Sequence, residues 1–295
     1  MLQKKAIALL ITVFFIMAIT ISIGVALKYV KSASKSINSE QSMLQSSIIL
    51  NDVLMMLKSS AAIEQINSSE GLALFLNQSS FIPFQSSGVT VLIEMSSARA
   101  KVNPNTLSNK DKLDAFKNFL MAKMVNIEYA DMLYDVIGGI KVDMSYNTDI
   151  FTQKRNLFRD YLASYKHLQE INDTYMKKYH DNSLKNVDFE NLFYINKEIN
   201  FKVDLNYATP SAWQLMLGCN EERASALSDN SGEYTTLEDL LLSDEEKVAL
   251  QRFQYSFFEP YIDVKIEIMQ KDISINIRFE YNIKQKKGSN FVYEV

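Results

Sequence analysis

Apolar and polar positions follow three rhythms along the chain. From Ala6 to Leu27 (AIALLITVFFIMAITISIGVAL) no charged residue occurs. At about 1.5 Å per residue, a helix of that length crosses the roughly 30 Å of a bilayer's hydrocarbon core. The run predicts a membrane-spanning helix, because the apolar part of a cleaved secretory signal covers only about 7–15 residues. Lys4 and Lys5 precede the span and Lys28, Lys31 and Lys35 follow it, so flanking charge leaves its orientation nearly balanced. Val30, Ala33, Ile37, Leu44, Ile48, Val53 and Leu57 then recur at helical spacing without glycine or proline. The helix is therefore expected to continue to about Lys58. Serines on its polar side lower helix propensity, which calls for a tertiary partner.

The second rhythm is alternation. Val89–Met95 is rich in β-branched residues, Ser96-Ser97 reads as a turn, and Arg99–Asn103 alternates strictly up to Pro104; together they predict a strand pair. Near the other end, Ile262, Val264, Ile266 and Ile268 alternate with Asp263, Lys265 and Glu267. Ile275, Ile277, Phe279, Tyr281 and Ile283 then alternate with Asn276, Arg278, Glu280 and Asn282. Two half-buried antiparallel strands follow from that pattern. Between these regions, from about Leu107 to Tyr179, helical spacing dominates (DKLDAFKNFLMAKMVNIEYADMLYDVI and RNLFRDYLASYKHLQEINDTYMKK), broken at Gly138-Gly139. Its Met, Phe and Tyr positions read as core rather than as a cofactor box. Pro83, Pro104, Pro210 and Pro260 fall at the proposed element boundaries. Strands before and after a helical block predict one sheet interrupted by an insertion, an α+β architecture.

Composition removes several function classes. With 31 basic and 35 acidic residues the net charge is −4, so no global positive field collects nucleic acid. The single cysteine, Cys219, rules out an internal disulfide and multi-cysteine zinc sites. His167 and His180 are too far apart to be ligands from one helical turn. Phosphate loops, nucleophile elbows and paired His/carboxylate patterns are absent. The many carboxylates are scattered over helical faces, where solvated surface accounts for them, so no enzymatic activity is expected.

One unit carries more pattern. Asp204-Leu205-Asn206-Tyr207-Ala208-Thr209-Pro210-Ser211-Ala212 opens a helix, with Thr209 as N-cap and Pro210 in the first helical position. Trp213, Leu215, Met216 and Leu217 are apolar, Gly218-Cys219-Asn220 turns the chain, and Asn220 caps a second helix over Glu221–Leu227. Tyr234–Leu240 begins another helix. The arrangement looks like a helix-hairpin-helix (SAM-like) unit at about 204–242. Such hairpins often bind DNA through a glycine-rich turn beside positive charge. Here Asn220 replaces the second glycine, Glu221 and Glu222 occupy the helix start, and only Arg223 is basic nearby. A packing module is the better account, with Cys219 as a small buried hydrophobe.

Lys4-Lys5-Ala6-Ile7-Ala8-Leu9-Leu10-Ile11 resembles a class III, prepilin-type leader: a short basic stretch, a small residue, then a long apolar helix. Together with the hairpin unit, the order "T-P-S-A, apolar helix, G-turn, E-E-R-A, Y-T-T-L-x-D-L", and the strands around a Phe257-Phe258 segment, the chain resembles the type II secretion minor pseudopilin K family over nearly its whole length. That resemblance implies cleavage by a prepilin peptidase between Ala6 and Ile7, beside Lys5. It also implies an assembly position, Ile11, that lacks the usual glutamate. The expected organisation is a leader at 1–6, a transmembrane helix at 7–27, a pilin-like helix and first strands at 28–104, an inserted α-helical domain at 105–258 and the last pilin-like strands at 259–295.

By the same resemblance the protein is a non-enzymatic tip or initiation subunit of a pseudopilus, single-pass in a bacterial inner membrane, with a periplasmic C-terminal domain. Its partners are then the I- and J-type minor pseudopilins, the pseudopilus and the prepilin peptidase. A minor pilin of a type IV pilus or DNA-uptake machine, and a membrane-tethered helix-hairpin-helix DNA receptor, are the alternatives. No cofactor is expected, except that Asp143, Asn147 and Asp149 place oxygens at alternate positions beside the double glycine, as a calcium site would.

Overall fold

In a computed structural model, residues 44–86, 89–143, 145–230, 232–270 and 273–294 are described. The leader, the predicted span and the assembly position, including Lys5, Ala6, Ile7 and Ile11, lie outside them. The chain divides into a unit ending at Met55 and a second unit, Met56–Val295. In the first, residues 44–55 are helical, as the apolar spacing predicts, and this helix (α1, 44–59) runs on into the second. Two serine-capped helices follow, α2 (Ala61–Glu64) behind Ser60 and α3 (Ser69–Ser79) behind Ser68.

The sheet of the second unit contains β1 (Phe81–Ser86), β2 (Val89–Ser97), β5 (Tyr261–Gln270), β6 (Ile273–Asn282) and β7 (Lys287–Glu294), in the spatial order β1-β2-β5-β6-β7 with every neighbour antiparallel. Strands from the two sides of the helical block thus meet at β2 and β5, where Ile93 lies opposite Ile266 and Met95 opposite Val264. One face of the sheet is apolar and buried: Ile93, Met95, Val264, Ile266, Ile277 and Phe279 fill it, and α3 packs on β2. The other face carries Glu94, Asp263, Lys265, Asn276, Arg278 and Glu280.

Between β2 and β5 come α4 (Lys110–Ala122), α5 (Glu128–Ile137), α6 (Ile150–Gln153), α7 (Tyr165–Tyr179), α8 (Phe189–Leu192), α9 (Pro210–Leu217), α10 (Glu221–Asp229) and α11 (Asp244–Leu250), with a two-residue parallel pairing of β3 (Val203–Asp204) and β4 (Tyr255–Ser256). Phe116, Tyr129, Tyr175, Phe193 and Trp213 are buried at the centre of this region. Asn109, Ser164, Asp188, Thr209, Asn220 and Ser243 cap six of these helices, each accepting a backbone N–H. The double glycine ends α5, with Gly139 at φ +82°.

Several sequence expectations are corrected. Ser96 and Ser97 do not turn; they extend β2 and pair with Asp263 and Ile262. Residues 99–103 are not a strand of the sheet, and Val102 makes only a single parallel bridge to Phe193. The true partner before β2 is β1, whose Pro83 lies inside the strand, opposite Leu92, rather than at a boundary. An edge strand tolerates proline because one row of its backbone groups has no ladder partner. Residues 154–164 are not helical despite their spacing, and α7 begins only after Ser164. The third C-terminal strand, β7, is nearly all exposed and so shows little alternation. Its pairing shifts register between Arg278 and Glu280, beside Asn290 at φ 55°.

Candidate functional site: a charged junction and the hairpin helices

Where β2 leaves the sheet, the backbone is tied on both sides: Ala98 N–H donates to Tyr261 (3.1 Å), and the Arg99 carbonyl accepts from Asp204 N–H (2.8 Å). Arg99 is only 1% exposed. Its guanidinium lies between the rings of Phe201 (4.2 Å) and Tyr261 (4.0 Å). From there Nη2 reaches Glu198 Oε2 at 3.0 Å and Glu280 Oε1 at 3.2 Å. The second Glu280 oxygen accepts from the Asn196 amide (3.1 Å). Burial pushes the Glu280 carboxyl up to about 7, with the nearby charges of Glu198 and Asp263 acting the same way and Arg99 opposing them.

One step along the same face, Arg278 Nε contacts both Asp263 oxygens, at 2.8 and 3.0 Å. Tyr194, which donates to Asp263 (3.4 Å), and Tyr165 bring their rings to the Arg278 guanidinium. Residues 99–106 form a strap over this junction. Asn103 donates to Glu198 O (2.9 Å) and accepts from Asn196 N–H (3.4 Å). Asn105 donates to Leu162 O and Asn196 O and accepts from Leu162 N–H. The strict alternation of Arg99–Asn103 therefore comes from a strap with apolar groups on one side and buried polar groups on the other, not from a strand.

The Asp204–Tyr207 segment closes the junction. Asp204 is fully buried and accepts N–H groups from Asn206 (3.1 Å) and Glu259 (2.8 Å). Among the described residues no cation pairs with it, and burial pushes its carboxyl up to about 7. Asn206 joins Tyr234 and Phe257 through both ends of its amide. Thr209 N–H donates to Ala100 O (2.9 Å), so the start of α9 is bound to the strap.

In the hairpin, Thr209 accepts from Ala212 N–H (3.2 Å), Gly218 has φ 68°, and Asn220 accepts from Arg223 N–H (2.9 Å). An added Cβ at Gly218 would meet nothing within 4 Å, so the backbone angle, not space, requires glycine there. Cys219 is half-buried, its thiol held protonated by burial. Arg223, the basic residue of this turn, is spent within the protein: it contacts Glu246 (3.2 Å) and the carbonyls of Leu240 (3.2 Å) and Leu241 (3.0 Å).

The three candidate calcium ligands are not gathered. Asp143 accepts from Ser145, Asn147 donates to Asp135, and Asp149 pairs with Lys178 and Gln153. The organising group is Asp135, completely buried, which accepts from the backbone and side chain of both Asn147 and Thr148 at 2.7–3.1 Å. Among the described residues, no group of three or more His, Cys, Asp or Glu side chains is placed to hold a metal. Sequence reasoning passed over Arg99, Asp135, Asn105, Glu198 and Glu280. Nothing local in the sequence set them apart from solvent-facing polar residues.

No family model and no curated protein matches the chain. Among solved structures it is similar to a chain in the crystal structure of the GspK-GspI-GspJ complex from the type 2 secretion system of enterotoxigenic Escherichia coli. The likeness covers 88% of this chain and 97% of that one, with a TM-score of 0.54 and 11% sequence identity. At that identity what is shared is fold: the chain has a GspK-like arrangement of helices and antiparallel sheet. No helix among the described residues is long and apolar enough to cross a membrane; the predicted span lies outside them.

Two outcomes follow from this geometry. Replacing Arg99 by Met leaves Glu280 buried beside Glu198 without a cation, and is expected to cost about 3–5 kcal/mol in unfolding free energy. Arg99→Lys should recover little of it, because an ammonium cannot serve two carboxylates while stacked between rings. Asp204 gives a pH dependence: its ordinary value is 3.8 and its folded value about 7, so between them only the folded protein holds the proton. Its contribution to stability is complete below about pH 4 and is lost as pH rises towards 7. Thermal midpoints measured across this window should show Asp204→Asn lacking that share of the decline.

Proposed function

We propose that this protein is a K-type minor pseudopilin, a non-enzymatic tip and initiation subunit of the pseudopilus in type II protein secretion. The observation that carries the reading is the sheet. Strands on either side of the helical segments close on each other at β2 and β5, and the whole follows the fold of a chain from the GspK-GspI-GspJ assembly. The leader and span then have defined parts. Cleavage between Ala6 and Ile7 leaves the apolar helix 7–27 as an anchor in the bacterial inner membrane, with the folded portion in the periplasm. Ile11 gives the helix no carboxylate with which to reach a subunit beyond it, which suits a terminal position. The I- and J-type minor pseudopilins are its partners.

The perturbed carboxylates do not argue for catalysis. Asp204 and Glu280 have the raised values often found in active sites, but both are buried among fixed structural partners. A DNA receptor built on the hairpin is disfavoured because Arg223 already serves Glu246 and two carbonyls and Glu221 and Glu222 hold the first turn of α10.

The test is co-purification from detergent-solubilised membranes. The full chain, tagged at its C-terminus, is expressed with the I- and J-type minor pseudopilins of the same genome. Recovery of both in a stable complex is expected. Recovery of neither, with all three subunits inserted and folded, overturns the assignment.

A further inference from the structure

The two edges of the five-stranded sheet differ. β1 carries Pro83 within it, and a proline is one of the devices that blunt an edge against pairing with another chain. β7, at the other edge, runs Lys287-Gly288-Ser289-Asn290-Phe291-Val292-Tyr293-Glu294 and has no proline. Its inner side pairs with β6. Among the described residues no strand pairs with its outer side, so one row of its N–H and C=O groups is open. The apolar face of the sheet reaches this edge. Phe291 stacks on buried Phe279 (5.3 Å) and Tyr293 stands opposite buried Ile277, yet Phe291 and Tyr293 are both exposed.

The bulge sets which residues of β7 share a face. Val292 lies opposite Arg278 and Ser289 opposite Glu280, so Asn290 and Phe291 together stand against Phe279. Lys287, Ser289, Val292 and Glu294 therefore lie on the polar face, and Gly288, Phe291 and Tyr293 on the apolar one. The strand is complementary to itself in this arrangement. Laid antiparallel to a second copy, bulge against bulge, β7 puts Lys287 opposite Glu294 of that copy, Gly288 opposite Tyr293, and Ser289 opposite Val292. Each pair matches in face, and a shift of one residue would destroy the match. Because the pairing is two-fold, Lys287 meets Glu294 at both ends. Both residues are exposed, and among the described residues neither makes an ion pair. Opposite charges facing across strands are favourable. A tyrosine ring over a glycine of the neighbouring strand fills the place of the missing side chain.

We propose that β7 is a self-association edge, at which two copies of this chain pair β7 with β7, antiparallel and in that register, to continue one sheet through both. The occupant is a second copy because the charges and the faces that β7 presents are complementary to β7 itself. Ladder hydrogen bonds between the two backbones hold the pair, the two Lys287–Glu294 contacts select its register, and Phe291 and Tyr293 are covered. The bulge, which turns an edge away from other strands, lies on the two-fold axis and interrupts the ladder only there. The inference rests on the sheet and does not depend on the role proposed above.

The test is the oligomeric state of the full chain in detergent micelles at low ionic strength, followed by sedimentation velocity over a concentration series. A monomer–dimer equilibrium is expected. Lys287→Glu sets like charges against each other at both ends and should raise the dissociation constant about tenfold. Lys287→Glu combined with Glu294→Lys should restore the original value. Register is read by mild oxidation of chains that also carry Cys219→Ala. A mixture of Lys287→Cys and Glu294→Cys chains should give a disulfide-linked pair, since directly opposed residues lie within disulfide reach, and either variant alone should give none. A chain that stays monomeric, a dimer whose affinity is unchanged in Lys287→Glu or not restored by the charge swap, or cross-linking within one variant as strong as in the mixture overturns the proposal.

Discussion

The placement of one guanidinium governs the rest of this architecture. Arg99 sits at the exit of β2, the point where the chain leaves the sheet for the long helical excursion. Bringing that charge out of water costs several kcal/mol, and two carboxylates and two aromatic faces offset the cost only in one geometry. Those partners come from Glu198 and Phe201, within the excursion, and from Tyr261 and Glu280, in strands made after it. A buried ion pair adds little net stability over an apolar pair of the same size; its value here lies in register. The inserted segment and the returning strands must both be in place for Arg99 Nη2 and its stacked faces to find these partners, while Nη1 is buried with none.

Much of the fold was legible because it rests on repetition. β5 and β6 alternate cleanly because one face is apolar and the other is not, and the α9–α10 hairpin announced itself through Thr209, Pro210, Gly218 and Asn220. Legibility failed where periodicity had another cause. Arg99–Asn103 alternates like a strand, yet Arg99 and Asn103 point into a buried network instead of solvent. β1 and β7 were missed because edge strands bury little, so Phe81, Phe84, Phe291 and Tyr293 stay exposed and no alternating pattern is imposed. The helical spacing of 154–164 did not become a helix; Leu157 and Leu162 are buried while the Leu162 backbone is bound by the Asn105 amide.

The junction was the least readable part. Asp263, Arg278 and Glu280 fit the polar phase of the strands and read naturally as solvent-facing. Only the inserted segments, lying against that face, convert Asp263 and Glu280 into buried charges and Arg278 into a half-buried one, and such contacts between residues far apart in sequence leave no local mark. Asp135 shows the same limit: it is one acidic residue among many on a helix, yet Asn147 and Thr148, in the segment singled out for its oxygens, both bond to it.

The proposed account, a secretion pseudopilus subunit processed at its N-terminus and anchored by the helix that remains, joins a leader and apolar helix expected from the sequence to the GspK-like fold of the described residues. The most direct measurement is the mature N-terminus of the full chain after co-expression with a prepilin peptidase, read by intact mass and peptide mapping. The account predicts a chain beginning at Ile7, with the apolar helix retained. A chain still beginning at Met1, or cut beyond Leu27, would contradict it.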